Sequence, residues 1–205
     1  QCAWPVYADV PGVSKEAMHE ATSALAMLSV SDDPKDQLHA AEQFVQTKLA
    51  KNLPQLTHGQ SYGHKKLRIA YCSSDFCLHP VSLLTVQLFE LHNRDAFEVY
   101  GFCWSPEDGS AMRQRVKQGM DHFFTIHQLT DEEAARLIRS HEIDILVDLQ
   151  GQTSGARANI LGYRPAPIQI TYLGLPATTG LPAIDYVIAD EFLIPQSEAQ
   201  FYSEK

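Results

Sequence analysis

Two side chains in the stretch "SSDFCLHPVS", residues 73–82, have the types and spacing to handle a proton: Asp75 and His79. His79 directly precedes Pro80, which has no amide hydrogen to donate and so suits the first position of a helix. A residue before proline is driven to extended geometry, which places His79 at the helix N-cap. The positive end of the helix dipole disfavours an imidazolium there. A neutral imidazole at that place can accept a proton or a hydrogen bond. Asp75, four residues upstream, could orient the ring or take a proton through water. A plainer reading stands beside this one: His79 only caps the helix, and Asp75 only bonds the loop backbone.

The elements that must position these residues follow from the hydrophobic pattern. "LRIAYCS" is a short apolar run without strict alternation, as in a strand covered on both faces. Further strands are predicted at "FEVYGFCW", "HFFTIH", "IDILVDL", "PIQITYL" and "IDYVIAD". Helices are predicted between them at "PVSLLTVQLFELH", "GSAMRQRVKQG" (with Gly119 as its stop), "TDEEAARLIRSH" and "GARANILGY". Thr130 and Glu133 have the spacing of a capping box. Such alternation predicts right-handed βαβ units and an α/β fold with an open, Rossmann-like parallel sheet over residues 66–205. Residues 1–65 read as a helical lead-in. One helix is predicted over 14–28 behind Ser14, and a second over 34–52 behind Asp33 and Pro34. The linker "LPQLTHGQSYGHKK" follows.

In open parallel sheets, ligands bind outside the carboxyl ends of the strands. That rule marks the loops "SSDFCLHP", "SPEDGS", "QGQTSGAR" and "GLPATTGLP". Gly151, Gly155, Gly174 and Gly180 would let backbone approach a ligand, or serve ordinary turns. Thr178 and Thr179 could offer hydroxyls to a sugar or phosphate, or satisfy their own loop. Arg157 and Arg164 could face a phosphate or make structural pairs, and Trp4 and Trp104 are expected to pack. No G-x-G-x-x-G or Walker A motif follows the first strand, so hydride transfer with NAD and ATP hydrolysis lose their main support.

Composition narrows the classes further. The chain has 205 residues, 25 acidic against 16 basic, and a net charge of −9. That balance argues against a sequence-independent grip on nucleic acid. No apolar run approaches the length of a membrane span, and no signal peptide is visible at Gln1. Cys2, Cys72, Cys77 and Cys103 show no C-x-x-C spacing and read as reduced thiols of a cytoplasmic protein. His64, His92, His122, His127 and His141 show no metal-ligand spacing and take no assigned role.

The ordered blocks "LRIAYCSSDFCLHP", "FEVYGFCWSPEDGS", "IDILVDLQGQTSGARANILGYRPAPIQITYLGLPATTG" and "IDYVIADEFLIP…FYSEK" resemble the protein O-GlcNAc transferases and their bacterial relatives. The likeness is dense over roughly residues 66–205. It extends weakly to "SDDPKDQLHAAEQF", which is similar to the junction between tetratricopeptide repeats and the catalytic region in that family. The resemblance implies one lobe of a two-lobed GT-B glycosyltransferase, with the second lobe and its lysine on polypeptide past Lys205, and no turnover by this lobe alone. It implies inverting transfer of GlcNAc from UDP-GlcNAc to Ser or Thr hydroxyls of protein acceptors, with no metal and no cofactor.

By the same resemblance Asp75 and His79 are the catalytic candidates. Pro80, Val81, Leu173, Gly174 and Pro176 are the donor-binding ones. Animal members carry a second histidine where this chain has Leu83, which removes that imidazole from any role here. Two alternatives remain: a related enzyme using another nucleotide sugar such as GDP-fucose, and a nucleotide-sugar-binding lobe without turnover.

Overall fold

The structure is a computed structural model that describes residues 10–205, so Cys2 and Trp4 lie outside the described residues. Its centre is strand β1 (Leu67–Ser73), whose alternate side chains feed two separate cores. Ala70 and Cys72 enter one apolar cluster, and Tyr71 enters the other on the opposite face. The chain continues through α4 (Pro80–Leu91), β2 (Phe97–Cys103), α5 (Ala111–Gln118), β3 (His122–Thr125) and α6 (Asp131–Ser140). It then forms β4 (Ile145–Asp148), α7 (Ala158–Gly162), β5 (Ile168–Tyr172) and β6 (Tyr186–Ile188).

The strands form one six-stranded sheet in the order β3-β2-β1-β4-β5-β6, every pairing parallel. That is the doubly wound order, and the chain reverses its direction of travel across the sheet between β1 and β4. Helices α4 and α5 cover one face through Val86, Phe89 and Val116, and α6 and α7 cover the other through Ala135, Ile138 and Ile160. The fold class read from the sequence is therefore the one found. Thr130 and Glu133 form the anticipated capping box at the start of α6.

The region before β1 departs from the sequence reading in two places. The single helix expected over 14–28 is two: α1 (Lys15–Glu20) and α2 (Ala24–Met27). The break has a local cause. Thr22 Oγ1 donates back to the Met18 carbonyl, and Ser23 turns its hydroxyl to cap the amide of Ala26, so two short polar side chains compete with the helix ladder. Helix α3 (Pro34–Lys48), capped by Asp33 as expected, stops short of residue 52. The linker of residues 53–66 has no regular structure but lies bound along the lobe. Leu56 N–H donates to the Tyr163 carbonyl at 2.8 Å, and the fully buried Thr57 donates to the Arg164 carbonyl at 2.9 Å.

Helix α3 itself packs on the sheet layer. Val45 and Leu49 rest against the cluster that holds Cys72 and Ile160. The Gln152 side-chain amide donates to the carbonyls of both Ala41 and Thr179.

Candidate functional site

The crevice at a change of strand direction is where doubly wound sheets take ligands, and here its banks are the loops after β1 and β4. On the first bank, Phe76 is fully buried and pins the loop down. Ser82 Oγ donates to the Asp75 carbonyl at 2.6 Å and closes the turn into α4. His79 sits at the N-cap with φ −139° and ψ 150°, the extended geometry that Pro80 imposes. Its Nδ1 accepts the amide of Val81 at 3.3 Å and lies 3.6 Å from Asp75 Oδ2. The imidazole is 42% exposed, whereas the Asp75 side chain is 18% exposed. Among the described residues Nε2 has no hydrogen-bond partner. The capping reading and the chemical reading therefore concern two nitrogens of one ring.

Which nitrogen carries the proton follows from the network. While Nδ1 accepts from Val81, the proton of the neutral ring lies on Nε2, and the exposed edge donates. If the ring instead turned a protonated Nδ1 to Asp75, Nε2 would present a lone pair. The 3.6 Å separation is beyond hydrogen-bond length, so the first arrangement is the one seen.

Val81 itself is buried in the core with Val86 and Phe89, and Pro80 is exposed at the helix tip. Leu83, at the place of the missing second imidazole, is 57% exposed.

The second bank supplies side chains that the sequence reading did not single out. Asp148, at the end of β4, is buried and accepts the amides of Gln150 at 3.1 Å and Gly151 at 2.8 Å. Burial pushes its carboxyl up to about 6, against the downward pull of those two amides. Gln150 reaches from this turn into the first loop, where its Oε1 meets Ser73 Oγ, Ser74 N and Ser74 Oγ.

The third element is the loop after β5. Leu173 adopts φ +66°, a left-handed backbone uncommon for a branched side chain and a mark of stored strain. Gly174 lies so close to the carbonyl of Leu149 that a methyl group there would overlap backbone. Leu173 and Pro176 line a groove of about 500 Å³ together with Tyr172, Ile188, Phe192 and Tyr202, and Phe192 is 96% exposed.

The candidate residues thus fall into two groups on one rim of the sheet: Asp75, His79, Pro80 and Val81 after β1, and Leu173, Gly174 and Pro176 after β5. The turn at Leu149–Gln150 touches both loops, with Leu149 against Gly174 and Gln150 bonded to Ser73 and Ser74 just ahead of Asp75.

Several other candidates have structural employment. Thr178 Oγ1 donates to Glu204 Oε2 at 2.7 Å, and Thr179 gives both its amide and its hydroxyl to Glu204 Oε1. Glu204 is buried, and no local pattern announces it, because its partners lie 25 and 26 residues earlier in the chain. Arg157 pairs with Asp131 at 2.7 Å and donates to the carbonyls of Ile126 and Leu129. Arg164 pairs with Asp185. Trp104 donates its indole N–H to the Gly155 carbonyl. Gly151, Gly155 and Gly180 all have positive φ and serve turns. His64, given no role from sequence, bridges Asp144 at 2.9 Å and Glu142 at 3.2 Å. Among the described residues no three His, Cys, Asp or Glu side chains converge as metal ligands.

Comparison with known proteins gives this geometry a lineage. Residues 37–205 match the sequence model of Glycosyl transferase family 41. The chain belongs to that family. It is 42% identical over 159 residues to the Arabidopsis thaliana "Probable UDP-N-acetylglucosamine--peptide N-acetylglucosaminyltransferase SEC", covering 75% of this chain and 16% of that protein. It is 38% identical over 142 residues to the Caenorhabditis elegans "UDP-N-acetylglucosamine--peptide N-acetylglucosaminyltransferase", covering 69% of this chain and 12% of the relative. Among solved structures, the Thermobaculum terrenum O-GlcNAc transferase mutant K341M superposes with a TM-score of 0.78 at 30% identity, over 93% of this chain and 37% of that one. The chain therefore spans less than a fifth of these curated relatives and a little over a third of the solved bacterial protein. Within the family the parallel sheet described above corresponds to a GT-B glycosyltransferase lobe.

Proposed function

We propose that this lobe forms one wall of a site that transfers GlcNAc from UDP-GlcNAc to Ser or Thr hydroxyls of proteins, with inversion at the anomeric carbon. The names of the relatives support the substrate class, and the family supports the reaction class. The observation that carries the reading is the Asp75–His79 pair at the strand-order reversal, with Nε2 unpartnered at the tip of α4.

The acceptor oxygen forms a bond to the anomeric carbon as the bond from that carbon to the diphosphate oxygen breaks. The hydroxyl proton must leave the acceptor, and the departing UDP takes the bonding electrons. With Nδ1 held by Val81, His79 offers an Nε2–H donor to a developing oxyanion or to the sugar. With Nδ1–H turned to Asp75, Nε2 can receive the acceptor proton. The first turn of α4 favours negative charge beside it, which suits the leaving group.

In this reading the Leu173–Pro176 loop receives the sugar, and Pro80 and Val81 shape the helix tip beneath it. The partners are the nucleotide sugar, a protein or peptide acceptor, and a second lobe that closes the crevice. The reading assigns no metal and no cofactor, the first turn of α4 and the second lobe being left to stabilise the departing diphosphate. A cytoplasmic setting accords with the free thiols of Cys72, Cys77 and Cys103. Among the described residues no helix is long and apolar enough to cross a membrane.

The test is a peptide glycosylation assay on the full-length protein with UDP-GlcNAc, run beside GDP-fucose and beside calorimetric binding of each donor. Transfer from UDP-GlcNAc that is lost in His79→Ala and Asp75→Asn supports the reading. Transfer only from GDP-fucose would change the donor, binding without transfer would reduce the lobe to a binding module, and unchanged turnover in His79→Ala would remove that residue.

A further inference from the structure

We propose that Gln150 is a positioning residue for the Asp75–His79 pair, acting across the crevice from the opposite bank. The inference rests on the reading of that pair given above.

Gln150 is 2% exposed, and every polar atom of its side chain is engaged. Its Oε1 lies 3.0 Å from Ser73 Oγ, 2.9 Å from Ser74 N and 2.8 Å from Ser74 Oγ. Its Nε2 donates to Thr153 Oγ1 at 2.9 Å and to the Ser154 carbonyl at 3.1 Å. Three potential donors thus face one carbonyl oxygen with two lone pairs. Among the described residues the Ser74 amide has no other acceptor. The Ser73 hydroxyl also points at Oε1, while its own oxygen takes the Asp75 amide at 2.9 Å. Those two donors fill the oxygen. The Ser74 hydroxyl hydrogen is then left for Asp75 Oδ1, 2.9 Å away.

Lone-pair accounting therefore makes Gln150 the group that sets the direction of the Ser74 hydroxyl and, through it, the rotamer of the Asp75 carboxylate. The Asp75 amide is held by the same network through Ser73. The far end of the clamp is rigid, because buried Asp148 fixes the Gln150 amide and Thr153 and Ser154 fix the side-chain nitrogen.

The arrangement has a chemical point. Asp75 stands 3.6 Å from His79 Nδ1, so a small change in carboxylate direction decides whether the pair engages. Displacement of a catalytic group by about 1 Å can cost on the order of 100-fold in rate. Among the described residues the Gln150 side chain makes no hydrogen bond to the ring or to the Leu173–Pro176 loop, so its effect should fall on turnover and not on donor affinity.

The experiment is steady-state kinetics on the full-length protein with Gln150→Ala, Gln150→Glu, Ser74→Ala and the Gln150→Ala/Ser74→Ala double variant, with His79→Ala as reference. The expected result is a kcat loss of about 10- to 100-fold in Gln150→Ala, donor KM within about three-fold, and a displaced limb in the pH profile of kcat. Gln150→Glu keeps the acceptors for Ser73 and Ser74 and should recover part of kcat. The double variant should be no worse than the poorer single one. Wild-type kcat and pH profile in Gln150→Ala, additive losses in the double variant, or a kcat loss matched by collapse of the melting transition in both Gln150 variants and absent from Ser74→Ala would each overturn the inference. Full activity of His79→Ala would instead overturn the reading beneath it, whatever Gln150 does.

Discussion

His79 and Asp75 face each other across 3.6 Å, and the nitrogen that faces the carboxylate is the one that caps helix α4 by accepting the Val81 amide. The helix cap and a pairing with Asp75 compete for that one nitrogen. Asparagine caps helices as well as any residue but holds no proton. His79→Asn should therefore leave the melting temperature within a few degrees of wild type while turnover falls by roughly 100-fold or more. Equal activity would reduce His79 to a cap, and calorimetry beside a glycosylation assay decides the matter.

Gly174 is required by proximity. Its φ is unremarkable, but a Cβ would run into the carbonyl of Leu149 and the backbone of Gln150, which cannot rotate away. Gly174→Ala should destabilise the lobe by about 1–3 kcal/mol, as overpacking does, and should raise donor KM by displacing Leu173 and Pro176. Urea unfolding and donor titration read the two effects separately.

Glu204 should matter to the same loop from the other side. Glu204→Ala leaves the Thr179 amide and two buried threonine hydroxyls without their acceptor, at a cost of about 1–3 kcal/mol for the buried groups. The measurable sign is faster hydrogen exchange confined to residues around 175–181. A variant with wild-type exchange there would show that Glu204 is idle.

Asp148 and His64 should each contribute a decline in stability with rising pH, in two successive windows. Asp148 keeps its proton in the folded lobe up to about 6, above the ordinary value of 3.8, because burial disfavours its charge. The folded state thus binds more protons than the unfolded chain between those values, and stability declines across them. His64 is raised above 6.5, chiefly by its hydrogen bond to Asp144 and also by that to Glu142. Its contribution is full below 6.5 and is lost as pH rises through the folded value. Asp148→Asn should flatten the lower decline and His64→Gln the upper one, as read from urea midpoints at each pH. A decline that survives its own substitution would assign it to other groups.

The legible part of the molecule was the part written in local chemistry. Apolar runs separated by amphipathic stretches gave the strands, and Pro80, Asp33 and the Thr130–Glu133 box marked helix starts that the structure contains. The placement of His79 at a helix tip followed from two residues, itself and Pro80. What could not be read depends on partners distant in sequence. Gln150 serves Ser74, 76 positions earlier, and Glu204 serves Thr178, 26 positions earlier. Neither has a spacing rule to betray it. The break before α2 was local yet missed, because Thr22 and Ser23 are tolerated in helices until their hydroxyls find backbone.

Gln152 ties the carbonyls of Ala41 and Thr179, and Met27 and Ala40 pack against Leu175 and Ala177. From Ala24 onward the helices before the sheet and the loop after β5 consequently travel as one piece. A hinge between them would have to break that amide bridge and open an apolar seam. Any bending of upstream polypeptide against the sheet must therefore be taken up before Ala24, and the loop would feel such a motion as a shift of its own foundation.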